Sequence, residues 1–349
     1  GPAISRCAFP FKMPRCAARR CLDLVTSKED EGAAGTPPLE YKMPANIGRR
    51  AVTFGLAAGA LATLPTAACA QPRRGGLIER RESQYNTIYV VEQEDGQIAM
   101  IFGANQTLYT ESLYDPARPR TLPVAYTRYM TIALAYTPQV RSVLEIGLGG
   151  GRTAYYLRLL MPNTQITCVE LDPAVIELAQ RHFGIRTDNN FRIVQRDGRI
   201  YLNQNQTRHD VIMVDAYRGT FVPFHLTTRE FYMICKRRLN PGGVMVQNVE
   251  PSSMLYDAAL ATIKSVFGNV DTYEAEGNVV VVGYDGPQKS ITDLTARATA
   301  LQTQNRFTHA LPAMLARRRP ITAVNGRILT DDFAPVEYLR AIERHNEKR

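Results

Sequence analysis

Residues Val143 to Leu157 read VLEIGLGGGRTAYYL, and this stretch decides the fold. Ser142–Ile146 is a short apolar run of the kind that forms a buried strand. The cluster Gly147, Gly149, Gly150 and Gly151 permits a tight turn and lets a ligand approach the backbone closely. From Thr153 to Leu160 the apolar spacing turns helical. Strand, glycine turn and helix in that order begin an α/β unit with a site at the turn.

The same alternation continues outward. Strand-like runs recur at Gln165–Glu170, Phe191–Gln195, Val211–Asp215 and Gly243–Val249. Helical patterns lie at Pro173–Phe183, Thr227–Leu239 and Tyr256–Phe267, and a closing hairpin at Asn269–Ala275 and Asn278–Tyr284. Strands separated by helices imply a parallel sheet covered on both faces, and the final hairpin makes it a mixed seven-stranded sheet. Upstream, Tyr85–Glu92, Gln97–Phe102 and Gln106–Tyr109 form a small antiparallel β unit, with turns at Glu94-Asp95-Gly96 and Gly103-Ala104-Asn105. A helix is expected over Leu122–Tyr136, stopping before Pro138. The expected division is a β unit over 71–121, a nucleoside-binding domain over 122–290 and a helical extension over 291–349.

The chain has 349 residues, 45% hydrophobic and 21% charged, as in ordinary globular proteins. Its net charge of +9 is not gathered into a basic run with interleaved aromatics, which argues against a nucleic-acid partner. Of six cysteines, only Cys168 and Cys235 lie beyond Cys69, each in an apolar segment and neither with metal-site spacing. They read as small buried hydrophobes, and no metal is expected.

Residues 1–70 read as a targeting region. Arg49-Arg50 precedes a weakly apolar Ala/Gly/Leu run, then Pro65 and small residues, the layout of a secretory signal. Adjacent arginines resemble a twin-arginine export signal. Cleavage is expected after Ala70, or at Cys69 with a lipid anchor there. The expected location is therefore periplasmic or membrane-anchored, with a cytoplasmic protein as the alternative.

Ligands of open α/β sheets sit beyond the carboxyl ends of the strands, so acids ending strands are the candidates. Glu145 ends the first strand before the glycines, Glu170 and Asp172 the second, Asp197 the third and Asp215 the fourth. Gly-Lys-Ser/Thr is missing, so this is no phosphate-binding loop. Glu170 suits a ribose diol and Asp197 an adenine amino group, which together describe an adenosine pocket without a pyrophosphate. Tyr85 and Tyr217 are candidates to line an acceptor pocket.

These motifs resemble the spermidine synthase (polyamine aminopropyltransferase) family, within the wider class I methyltransferase-like fold. The resemblance is carried by Glu82-Ser83-Gln84-Tyr85-Asn86, VLEIGLGGG, Val169-Glu170-Leu171-Asp172, Asp197-Gly198-Arg199 and the run Asp210 to Asp215. Pro223 to Tyr232 and Leu329 to Pro335 extend it. The resemblance implies an adenosyl-sulfonium donor, decarboxylated S-adenosylmethionine or S-adenosylmethionine, an amine acceptor and a homodimer. Aminopropyl transfer is the leading expected reaction. Methyl transfer and non-catalytic nucleoside binding are the alternatives.

Two family acids are missing. Gly150 stands where the family aspartate holds the aminopropyl ammonium, and Arg218 where the proton acceptor stands. Tyr126-Thr127-Arg128 matches the family's Tyr-His-Glu only in part. Asp215 is left as the candidate base. Arg152 or Arg218 is expected to meet the carboxylate of S-adenosylmethionine, which the decarboxylated donor lacks.

Overall fold

Val143 and Leu144 point to opposite faces of one sheet, and the whole domain is organised by that alternation. In a computed structural model the described residues are 75–104, 107–217, 222–253 and 255–332. Four strands come first: β1 (Gly76–Glu82), β2 (Thr87–Glu92), β3 (Ile98–Ala104) and β4 (Thr107–Tyr114). They pair antiparallel in the order β1-β2-β3-β4. The expected first strand begins two residues late, at Thr87, because Ser83 and Asn86 close a turn. In it the Ser83 amide donates to the Asn86 carbonyl at 2.9 Å. β1 was not expected; its charged sequence GLIERRE hides the alternation.

The second sheet is built from β5 (Ser142–Ile146), β6 (Gln165–Glu170), β7 (Phe191–Gln195), β8 (His209–Val214), β9 (Leu239–Val249), β10 (Asn269–Ala275), β11 (Asn278–Tyr284) and β12 (Arg319–Pro320). The order is β12-β10-β11-β9-β8-β5-β6-β7. β5 to β9 run parallel and the hairpin runs antiparallel. The sheet therefore has eight strands, not the seven expected. The added strand is two residues long and contains Pro320, which lacks an amide hydrogen and is tolerated at an edge. It is fastened by the buried pair Arg318–Asp271 at 2.8 Å.

The helices are α1 (Ala125–Met130), α2 (Arg152–Leu160), α3 (Pro173–His182), α4 (Gly198–Gln204), α5 (Arg229–Arg237), α6 (Tyr256–Val266), α7 (Ile291–Asn305) and α8 (Leu311–Leu315). On one face Val143, Met213, Val246 and Val280 pack against α1, α2, α3 and α7. On the other, Leu144, Ile212, Met245 and Val281 pack against α4, α5 and α6. β8 is buried at every position, and each such aliphatic side chain contributes about 1.5–3 kcal/mol of transfer free energy. The expected helix over Leu122–Tyr136 starts at Ala125, after Pro123, and tightens to 3₁₀ over Thr131–Ala135. Among the described residues no helix is long and apolar enough to cross a membrane.

This topology sets the site. From β5 the chain steps outward to β6 and β7, then returns across β5 to β8. The strand order reverses between β5 and β8, and a crevice opens above their carboxyl ends.

Candidate active site

The crevice is a cleft with a cavity of about 130 Å³ opening to a wider mouth. The glycine loop forms its floor. Gly147, Gly149 and Gly151 adopt φ of 91°, 49° and 65°, the left-handed region that glycine enters without penalty. A Cβ at Gly147 would lie 2.4 Å from the Asp215 carbonyl oxygen, so only glycine lets β5 and β8 end side by side.

Glu170 ends β6 with its carboxylate under the loop. It accepts from the Leu148 amide and the Asp172 amide, both at 2.9 Å. Burial raises its pKa, against those two amides and that of Leu171. Both oxygens accept backbone amides, and a carboxylate has about four lone-pair sites, enough to accept from a vicinal diol as well. Asp197 accepts from the Ile200 amide at 2.9 Å, capping α4, and contacts His225 Nε2 at 2.7 Å. Burial pushes the Asp197 carboxyl up, but His225 and the Ile200 amide hold it below its ordinary value. His225 is thus tied to Asp197 as a hydrogen-bonding partner.

Asp172 lines the same cleft but is committed elsewhere. One oxygen caps α3 through the Ala174 amide at 2.9 Å, and the other accepts from Ser83 Oγ at 2.5 Å. It fastens the Ser83 turn, and with it Tyr85 and Asn86, against the Glu170 side of the cleft.

At the other end lie Glu111, Ser112, Tyr126, Asp215 and Tyr217. Asp215 accepts from Asn248 Nδ2 at 3.1 Å and from Tyr126. Burial pushes its carboxyl up to about 6, opposed by those two donors. The Tyr217 hydroxyl donates to the Asn248 carbonyl at 2.9 Å, which leaves its ring as cleft wall. Glu111, from β4, was not singled out in the sequence. Burial pushes it up to about 8, and the charges of Asp215, Glu170 and Glu250 push the same way.

Two expected site residues do not line the cleft itself. Glu145 lies in a small adjoining cavity with Tyr126, Arg152 and Asp215, where it is 3% exposed and accepts from Cys168 Sγ at 3.5 Å. Burial, then the Asp215 charge, pushes it up to about 8. Arg152 is 4% exposed. Its guanidinium donates to the carbonyls of Phe183 at 2.9 Å and Pro119 at 2.6 Å, and stacks over Tyr114 at 4.3 Å. Its Nη1 and Nη2 are engaged in holding α2, while Nε is buried without a hydrogen-bond partner. Arg218 lies outside the described residues, as do Arg49, Arg50 and Cys69. Cys168 and Cys235 are buried free thiols. Among the described residues no group of three His, Cys, Asp or Glu is arranged to hold a metal ion.

Fold and cleft together define the class: a class I methyltransferase-like domain, preceded by an antiparallel sheet, whose switch-point crevice is lined by carboxylates. Comparison with known proteins narrows this. The spermine/spermidine synthase domain family matches residues 124–282. The polyamine aminopropyltransferase of Vibrio vulnificus is 30% identical over 274 residues, covering 76% of this chain and 91% of that one. The chain belongs to the polyamine aminopropyltransferase family. A probable spermidine synthase from Corynebacterium glutamicum has a TM-score of 0.59 at 22% identity, covering 74% of this chain and 98% of that one. Human methyltransferase-like protein 13, solved in complex with SAH, has a TM-score of 0.50 at 24% identity, covering 53% and 94%. These two likenesses concern the fold.

Proposed function

We propose that the protein is a transferase that binds an adenosyl-sulfonium donor and passes an aminopropyl group to an amine. The observation that carries this reading is the convergence of Glu111, Glu170 and Asp215 on one cleft. Donor and acceptor are both cationic, and a carboxylate-lined crevice suits two cations where it would repel an anionic substrate. The decarboxylated donor, which brings no carboxylate to be repelled by these acids, is the better fit.

In this reading Glu170 accepts the ribose hydroxyls and Asp197 the adenine amino hydrogen. The acceptor's nitrogen lone pair attacks the propyl carbon attached to sulfur. The carbon–nitrogen bond forms as the carbon–sulfur bond breaks, its electron pair neutralises the sulfonium, and methylthioadenosine leaves. Asp215 takes the proton released by nitrogen. A carboxyl with its pKa near 6 is mostly ionised at neutral pH yet more basic than an ordinary aspartate, which suits a general base. Most of the work is positioning, because the sulfonium is already a good leaving group.

Methyl transfer from S-adenosylmethionine is the second reading. Gly150 favours it, because the residue that holds the aminopropyl ammonium in this family has no side chain here. The mass of the product separates the two: incubation with decarboxylated donor and 1,4-diaminobutane gives an aminopropyl adduct in the first reading and none in the second.

We further propose that Arg49-Arg50 directs export and that the mature chain begins at Cys69 or Gln71. Sequencing the N-terminus of protein recovered from its native cell tests this. A full-length chain in the cytoplasm would overturn it, and a lipid on Cys69 would select the anchored form.

A further inference from the structure

A regular strand sends neighbouring side chains to opposite faces, yet Glu111 and Ser112 both line the cleft. The pairing of β4 with β3 explains this. Met100 pairs with Ser112 and Ile101 with Thr110, so Glu111 has no partner and forms a bulge. Bulges re-aim a side chain, often beside active sites. Ser112 then docks on the glycine loop, its Oγ accepting from the Gly150 amide at 2.8 Å. A Cβ at Gly150 would lie 2.7 Å from Phe183 Cδ1 and 2.8 Å from Ser112 Cβ, so β4 occupies the space a side chain there would need.

The Glu111 carboxyl arrives without a protein partner for one of its oxygens. Oε1 is shielded from solvent and accepts no hydrogen bond. The charges acting on it, from Asp215, Glu170 and Glu250, are all negative. An unpaired carboxylate is costly to bury, and an unsatisfied buried polar atom in a native site calls for an explanation.

We infer that Glu111 is the residue that holds a primary ammonium group of a substrate, in place of the acid that Gly150 cannot supply. The inference rests on the amine-transfer reading above and assigns the charge partner which that reading lacks. Two groups have this chemistry: the terminal ammonium of the donor's aminopropyl chain and the distal ammonium of a diamine acceptor. Near neutral pH the empty site holds a proton on Glu111, in keeping with its raised pKa. An arriving ammonium displaces that proton, so binding releases it to solvent.

Calorimetry on the full chain tests this with three probes: methylthioadenosine, decarboxylated S-adenosylmethionine, and 1,4-diaminobutane added to the methylthioadenosine complex. Each is run in two buffers of different ionisation enthalpy, for wild type and for Glu111→Gln. Methylthioadenosine carries no ammonium, so its affinity should be unchanged in Glu111→Gln. One ammonium-bearing probe should lose about tenfold or more, together with its proton release. Loss on the decarboxylated donor assigns the aminopropyl ammonium, and loss on the diamine assigns the acceptor. Both probes within about twofold of wild type would overturn the inference. If Glu111→Gln loses methylthioadenosine too, Glu111→Asp decides: retained nucleoside with a weakened ammonium probe supports the inference. Loss of every probe in both variants would mark Glu111 as structural and overturn it. If wild type itself binds no methylthioadenosine, the nucleoside reading fails separately, and direct diamine titration of the free protein tests Glu111.

Discussion

Asn248 donates to Asp215 Oδ1 across 3.1 Å and is itself held by Asn278, whose Nδ2 donates to Asn248 Oδ1 at 2.9 Å. The closing hairpin thereby reaches back to the base proposed for the reaction. Asn248 stabilises the ionised form of Asp215 against burial, which pushes its pKa up to about 6. Removing that donor in Asn248→Ala should raise the pKa further, by about one unit. A base acts when deprotonated, so the acid limb of kcat/KM against pH should move upward. An unmoved limb would exclude Asp215 as the titrating group.

Glu170→Ala should cost methylthioadenosine binding roughly 2–4 kcal/mol, from two lost charge-assisted acceptors. Calorimetry reads this directly. Nucleoside affinity equal to wild type would remove Glu170 from the ribose site.

Arg152→Ala should unfold more easily without changing donor choice. The variant loses hydrogen bonds to Phe183 and Pro119 and the stack on Tyr114, about 2–4 kcal/mol together. Denaturant unfolding measures the stability. The affinity ratio of S-adenosylmethionine to its decarboxylated form should stay constant; a reversed ratio would restore Arg152 as a carboxylate partner.

Glu145 supplies a prediction on stability and pH. Burial raises its folded pKa from 4.5 to about 8. The folded state therefore holds the proton more tightly than the unfolded chain. That contribution is complete below about pH 4.5 and is lost as pH rises through about 8. Glu145→Gln, which keeps the neutral shape, should flatten this decline, with a difference from wild type of a few kcal/mol at most at high pH. Parallel slopes of melting temperature against pH for the two proteins would contradict it.

Most of the central sheet was legible in the sequence because its strands are short apolar runs bounded by turns. β5, β6, β7, β10 and β11 fall on the residues expected. Glu170, Asp197 and Asp215 could be placed at the cleft from the sequence because topology puts them at strand ends. Tertiary effects hid the rest. Asp172 looks like Glu170 in sequence, and only the Ser83 contact shows its different employment. Arg152 follows the glycines and suggests a ligand, yet its partners lie at Pro119 and Phe183, far away along the chain. Glu111 stands in the polar stretch Thr107 to Tyr114 with no motif around it. The bulge that aims it is a matter of register between two strands, which periodicity alone does not reveal. The helix α4 was not among those expected, although Asp197 is its N-cap.

The measurement that bears most directly on the central claim is product analysis of the purified protein with decarboxylated S-adenosylmethionine and 1,4-diaminobutane near neutral pH. Methylthioadenosine and the triamine adduct should appear in equal amounts, and both should be lost in Asp215→Asn while methylthioadenosine still binds that variant. A protein that binds methylthioadenosine but forms no adduct, or one that instead methylates an acceptor from S-adenosylmethionine, would contradict the account.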